Sequence, residues 1–325
     1  MTDFGIMFRR QKPPEELMDY AGVVEDAGFD EIWLVEDCFY AGGLTSAAVA
    51  LAQTKQIKIG LGIMPAVARN PAFTAMEIAM LARSFPGRFL PGIGHGVGAW
   101  MKQIGAFPGS QLTALEEVTQ VTRALLRGEK ISLDGQHVHL DGVELDFPPV
   151  EVPPIQLGVR GPKSLQVSGR SADGTILAEG AAPGYIRWAR EQIKIGQDQA
   201  GRNDHHRLTV YVWTSIGGQK EEARMIIRPE VARTLAHVGM QLEPIGLKDK
   251  VDRLINEHGE ENLTNSIPDD WMDILSVSGS VQDCADSVRR FIEAGVDALV
   301  FVPPLDDVNG QIEHLAKDLL SLFRP

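Results

Sequence analysis

Residues 92–99 read GIGHGVGA, and Gly94, Gly96 and Ala99 within them fit the pattern G-x-G-x-x-A. That pattern marks the phosphate loop of dinucleotide-binding sheets, whose glycines let the backbone approach a pyrophosphate at a helix N-terminus. The same glycines suit the C-terminal end of a strand in a closed α/β barrel, where the backbone passes close to a ligand held over the mouth. The surroundings decide. A dinucleotide loop follows the first strand of its unit and is answered about twenty residues later by an acid at the next strand end. Here three strand–helix units precede the stretch, and the acids at that distance, Glu116 and Glu117, fall inside a helical pattern. Residues 92–99 therefore read as a barrel strand end.

Working outward, three passages share one grammar of amphipathic helix, small residue, Asp and apolar strand. In LMDYAGVVEDAGFDEIWLVED (17–37), Leu17, Tyr20, Ala21 and Val24 repeat at helical spacing, Gly28 suits a left-handed cap, and a strand runs from Glu31 to Val35. SLQVSGRSADGTILAEG (164–180) places its strand at Thr175–Ala178, and CADSVRRFIEAGVDALVFVPP (284–304) at Ala298–Val302, after Gly295. Near-continuous apolar strands that follow helices are parallel strands buried on both faces. Further strands are expected at Phe4–Phe8, Ile57–Met64, Arg88–Ile93, Ile155–Val159 and Leu208–Thr214. Helices are expected at Ala72–Arg83, Leu112–Leu126, Tyr185–Ala200 and Glu221–Val238. About eight strands result, the number that closes a (β/α)8 TIM barrel. The expectation is one α/β barrel domain over 1–325 with two insertions: a hairpin turning at Asp134-Gly135 near 129–150, and a polar helical segment near 240–276. The stretch Gln241 to Trp271 is expected to lid the mouth.

Composition narrows the function classes. The net charge of −13 lacks the basic field that a nucleic-acid or anionic-membrane partner requires. Two cysteines, Cys38 and Cys284, give no disulfide framework, and the N-terminal residues lack the pattern of a signal peptide, so a cytoplasmic protein is expected. No metal set is expected, because neither H-E-x-x-H nor C-x-x-C occurs; His137 and His139 share a strand face, which an exposed hairpin explains without a metal. No G-x-S-x-G elbow offers a serine nucleophile.

The loops after the strands build a barrel mouth, and chemistry is sought there. GVRGPKSL (158–165) offers an anion site, with Pro162 at the first helical position and the amides near Lys163 and Ser164 free at a helix N-terminus. AEGAAPGY (178–185) repeats the arrangement after the next strand. Each loop alone reads equally as ordinary helix capping, and together they favour a phosphate. Glu36 and Asp37 reach the mouth from the second strand; each can serve as general acid or base, or cap the following helix. Cys38 has no cationic neighbour in sequence and reads as buried filler. His95 titrates near neutrality and is a proton donor or a ligand contact. Trp100 and Met101 wall an aromatic pocket or pack in the core.

Three segments, VARNPAFTAMEIAMLARSFPGRFLPGIGHG (67–96), GVRGPKSLQVSGRSADGTILAEG (158–180) and GSVQDCADSVRRFIEAGVDALVFVPP (279–304), resemble the luciferase-like flavin and deazaflavin oxidoreductases. Within that family the chain looks most similar to reductases of the methylenetetrahydromethanopterin type, which use the deazaflavin coenzyme F420. The resemblance implies a β/α barrel with an insertion, a tricyclic ring at the mouth, and usually a homodimer. It matches Gly62 and Ile63 to a strand bulge with a non-proline cis peptide that braces the ring, with Met64 beside them. Arg160, Gly161, Pro162 and Lys163, and the stretch from Ala178 through Glu179 and Gly180 to Ala182, match segments that receive the coenzyme tail. Gly94 and Gly96 complete the expected cofactor set, and Asp37, Glu36 and His95 the catalytic one. Two positions depart from the family's pattern: Cys38 stands where related dehydrogenases keep a His, and Met7 where the reductases carry a Glu. The substrate therefore cannot be borrowed from either branch, and His95 or Glu36 is expected to take over proton handling. The implied activity is hydride transfer between F420 and a small organic substrate. The alternatives are an FMN-dependent monooxygenase served by a flavin reductase, and a barrel that only binds its cofactor.

Overall fold

The structure is a computed structural model in which residues 2–324 are described. Nine strands form one parallel sheet: β1 (Asp3–Met7), β2 (Glu31–Leu34), β3 (Lys58–Pro65), β4 (Phe89–Gly94), β7 (Gln156–Gly158), β8 (Gly174–Leu177), β9 (Arg207–Ile216), β10 (Ser276–Gly279) and β11 (Ala298–Val302). A hairpin of β5 (Ile131–Asp134) and β6 (His139–Val143) stands apart. Eight strands close a ring in the order β1-β2-β3-β4-β7-β8-β9-β11, sealed by β8 against β9 and β11 against β1. The chain is thus a (β/α)8 TIM barrel with surrounding helices, and the eight ring strands fall where the apolar runs place them. GIGHGVGA ends β4 inside this ring, so no dinucleotide-type open sheet exists here.

The ninth strand was not expected. Trp213 pairs with Val302 of β11 on one side and with Ser276 of β10 on the other, so β10 extends the ring beyond the end of β8. The hairpin also differs from a two-residue turn at Asp134-Gly135. Its loop spans residues 135–138, because the Glu117 carboxylate accepts the amides of Gln136, His137 and Val138 at 2.8–3.0 Å and holds the wider loop open. His139 there pairs with Asp134 on the exposed face.

Helices cover the outside: α1 (Leu17–Asp26), α2 (Gly43–Gln53), α3 (Pro71–Ser84), α4 (Gly98–Gln103), α5 (Gln111–Leu126), α6 (Pro162–Ser171), α7 (Pro183–Gln199) and α8 (Lys220–Leu235), with Val281–Glu293 before the last strand. Short helices between Gly239 and Leu275 make up the helical insertion. One apolar cluster packs these helices on the barrel, with Val24, Leu51, Ile78, Leu115 and Phe291 against outward strand residues such as Ile32 and Ile59. A second fills the barrel interior with Met7, Trp33, Ile176, Tyr211 and Trp213, and continues under α8 and the insertion. The N-terminal floor is polar: fully buried Glu31 binds Arg207, which also binds Asp3 at 2.8 Å, and accepts the Trp33 indole N–H at 2.8 Å. The apolar lining therefore begins above a charged plug and opens toward the C-terminal strand ends. Among the described residues no helix is long and apolar enough to cross a membrane.

Candidate active site

The C-terminal strand ends enclose a cavity of about 640 Å³. Met7, Val35, Ile176 and Val302 make its base dry, and Tyr211 and Trp213 project into it from β9. One wall is the Gly62–Ile63 peptide, which is cis as the resemblance implies. A Cβ on Gly62 would overlap the Tyr211 hydroxyl, so only glycine leaves this wall flat. Tyr211 Oη is buried and has no hydrogen-bond partner, and burial raises its pKa well above the usual phenol value. It is a neutral donor packed against Gly62 with nothing to donate to.

The expected catalytic residues all line this cavity. Glu36 receives both terminal nitrogens of Arg69, one at 2.7 Å, and accepts the Gly43 amide at 3.1 Å, at the start of α2. It fastens the β2–α2 loop to the β3–α3 loop. Asp37 pairs with Arg10, whose guanidinium also lies over the rings of Tyr40 and Trp100 at 5.2 and 5.7 Å. That cluster joins the ends of β1 and β2 to α4. His95 Nε2 sits 3.0 Å from Ser164 Oγ, and burial lowers its pKa, against an opposing contact with the Gln111 backbone, so the imidazole is neutral at pH 7. Cys38, read from sequence as buried filler, is instead half-buried, in a loop whose next residue, Phe39, is exposed. Burial raises its pKa, assisted by the charges of Glu36 and Asp37, which keeps it a thiol.

The expected cofactor residues divide. Gly62, Ile63, Gly96, Arg160, Gly161, Ala178 and Glu179 line the cavity, whereas Met64, Gly94, Pro162, Lys163 and Gly180 do not. Met64 is buried in the outer core, since it follows the bulge at Gly62 and Ile63. Gly94 packs against Ile63, Pro162 and Lys163 are exposed on the first turn of α6, and Gly180 supports its loop from behind. The N-termini of α6 and α7 each begin with Pro and carry no side-chain cap, so their first amides stay available to an anion. Met101 is buried core, while Trp100 lines the cavity.

Several lining residues were not singled out from sequence. Glu230, Arg233, Thr234, His237, Val238 and Met240 close one side from α8 and the turn after it. Arg9 ties this side to the barrel: it binds Glu230 at 2.8 Å, donates to the Pro303 carbonyl, and lies 5.0 Å from the centre of the Trp213 ring. The covering element is therefore α8 rather than the stretch Gln241 to Trp271, which contributes no lining residue. That stretch instead braces a loop. Gln241 Nε2 donates to the Ala178 carbonyl at 3.1 Å and the Glu179 carbonyl at 3.4 Å.

The profile of the family described as luciferase-like monooxygenase matches residues 2–298. A 5,10-methylenetetrahydromethanopterin reductase from Archaeoglobus fulgidus is 28% identical, over 99% of this chain and 99% of its own. An F420-dependent glucose-6-phosphate dehydrogenase from Gordonia bronchialis is 25% identical, over 97% of this chain and 95% of its own. The solved structure of the coenzyme F420-dependent tetrahydromethanopterin reductase of Methanopyrus kandleri superposes with a TM-score of 0.86 at 23% identity, covering 99% of both chains. With nearly the whole barrel matched by one profile, this chain belongs to the luciferase-like monooxygenase family.

Proposed function

We propose that this oxidoreductase transfers a hydride between coenzyme F420 and a small organic substrate, in the cavity at the barrel mouth. The observation that carries the reading is the side-chain-free wall at Gly62 with the unpartnered Tyr211 hydroxyl packed against it, a place where the edge of a planar ring would supply the missing acceptor. The relatives named for F420 support that choice of ring. When bound, F420 supplies a two-electron hydride donor or acceptor. Gly62, Ile63 and Gly96 would hold the ring, and Arg160 and Gly161, with the free amides that open α6 and α7, would take an anionic tail.

The remaining residues bind and orient. Met7, Val35, Ile176 and Val302 exclude water from the reacting face, which strengthens every polar contact made there. Neutral His95, held by Ser164 and the Gln111 backbone, lines the mouth without adding charge. Asp37 holds Arg10 at the rim, and Glu36 fixes the loop that carries both. The same proposal includes a homodimer in the cytoplasm, which sedimentation and fractionation test.

Parallel fluorescence titrations with F420 and with FMN decide the cofactor. Tight F420 and weak FMN binding is the expected result. The reverse order would replace hydride transfer with reduced-flavin and oxygen chemistry, and would call for a flavin reductase partner. Binding of neither would overturn the reading.

A further inference from the structure

We propose that Glu179 is the catalytic acid of this site, the group that gives up a proton to the substrate at the barrel mouth. The inference rests on the hydride-transfer reading above. Four carboxylates line the cavity: Glu36, Asp37, Glu179 and Glu230. Arg69 and the Gly43 amide occupy Glu36, Arg10 occupies Asp37, and Glu230 bridges Arg9 and Arg233. Among the described residues Glu179 alone of the four makes neither a side-chain hydrogen bond to another residue nor an ion pair. A guanidinium beside a carboxylate favours its charged form, whereas an unpaired carboxyl in a desolvated pocket favours the protonated form.

The Glu179 backbone, by contrast, is fixed. Gly180 next to it adopts φ +90° with Val238 and Thr234 at 3.0 and 3.2 Å from where a Cβ would stand, and Gln241 holds the carbonyls of Ala178 and Glu179. A fixed stem with a free head is the arrangement a proton donor needs. Arg160 faces it from the end of β7, Arg9 from β1, Asp37 from β2 and Tyr211 from β9, while Glu230, Arg233 and His237 line the same cavity from α8 and the turn after it. Burial raises the Glu179 pKa, against the lowering by Arg160 and Arg9, and Asp37 adds to the rise. The two positions where related enzymes keep a proton-handling group, Cys38 and Met7 here, leave the task open.

In substrate reduction a carbon–heteroatom double bond gains two electrons and one hydrogen as hydride, which the reduced coenzyme supplies. The O–H bond of Glu179 breaks as the heteroatom takes its proton, and the carboxylate is reprotonated from solvent. Run in reverse, Glu179 accepts the proton.

Infrared pH-difference spectra of the coenzyme-free protein read the proton directly. Wild type minus Glu179→Gln is expected to show a protonated carboxyl that persists to higher pH than that of ordinary glutamates, near 4.3. The difference removes the contribution of Glu31, which burial also raises, to about 7. Glu179→Asp keeps a carboxyl and is expected to keep a band. At saturating F420, Glu179→Gln should reduce a panel of simple ketones and imines at least about 100-fold more slowly, the lower bound for a lost general acid. An empty difference spectrum, or Glu179→Gln turnover within about threefold of wild type, overturns the proposal. If wild type binds no F420, the functional reading fails instead, and the spectra still report on Glu179.

Discussion

Replacing Tyr211 by Phe should raise stability and lower coenzyme affinity at once. The Tyr211 ring packs edge-on to Trp33, with centroids 5.5 Å apart at 62°, a contact that Phe keeps. What Phe removes is a buried hydroxyl without a partner, and leaving such a group unmet costs about 1–3 kcal/mol. Taking the low end, Tyr211→Phe stabilises the coenzyme-free protein by about 1 kcal/mol. With an unfolding entropy near 2.1 cal/mol/K per residue over 325 residues, that corresponds to a rise of about 1–2 °C in melting temperature. The same change deletes one neutral hydrogen bond to a bound ring, worth about 0.5–1.5 kcal/mol, so F420 affinity should fall about 2- to 12-fold. Calorimetry of the free protein and a fluorescence titration measure the two effects separately. A lower melting temperature would mean that the hydroxyl is already satisfied without ligand, and unchanged affinity would mean that the ring does not use it. Either result refutes the reasoning.

Removing Arg69 leaves half-buried Glu36 with only the Gly43 amide; Arg69→Ala should cost about 2–3 kcal/mol in urea unfolding, and Arg69→Lys should recover only part, since a point charge cannot reproduce the two-nitrogen contact. Glu31→Ala leaves half-buried Arg207 with Asp3 alone and should cost about 1–3 kcal/mol, read as a lower urea midpoint at unchanged slope. Gly180→Ala forces a side chain into φ +90° against Val238 and should cost about 1–2 kcal/mol, with a measurable loss of F420 affinity through the displaced loop. Burial pushes the His206 imidazole down to about 3, so the unfolded chain binds its proton first on acidification. Stability is then full above the unfolded value near 6.5 and falls toward pH 3, by at most about 1.4 kcal/mol per pH unit. Between pH 6.5 and about 5.5 ordinary carboxylates stay ionised, and His206→Gln should flatten the slope there.

The ring strands were legible because each is a near-continuous apolar run bounded by a glycine or an Asp, as at Ala298–Val302 after Gly295. β10 was not, because its four residues read SVSG. Their burial is satisfied by polar means, with Ser276 Oγ donating to the Met272 carbonyl at 2.7 Å and lying 2.8 Å from Ser278 Oγ. At the mouth, Glu36, Asp37 and His95 could be found because they directly follow strand ends. Tyr211 and Trp213 lie within a strand, and only its inward register, set by pairing with Val300 and Val302, turns them toward the ligand. The contribution of α8 had no local signal. Glu230 and Arg233 sit on a helix of ordinary amphipathic composition, and it is the pairing of Glu230 with Arg9, 221 residues earlier, that brings them over the cavity.

The same geometry explains why the proton-handling group cannot be carried over by position. In a closed barrel every strand end borders one mouth, so a carboxyl delivered after β8 reaches the space that a residue after β1 or β2 reaches in another chain. What separates a catalytic carboxyl from a structural one is then the set of partners the fold supplies. Arg10 and Arg69 stand beside the β2 end and pair with its two acids, whereas the β8 end carries Glu179 with guanidinium groups near enough to temper its charge and too far to pair with it. Placing a new guanidinium against Glu179 should therefore disable it as surely as deleting it. Thr234→Arg, from the facing helix, is the substitution that supplies one. Its expected signature is loss of the Glu179 carboxyl band with the carboxylate still present, a result that Glu179→Gln cannot produce.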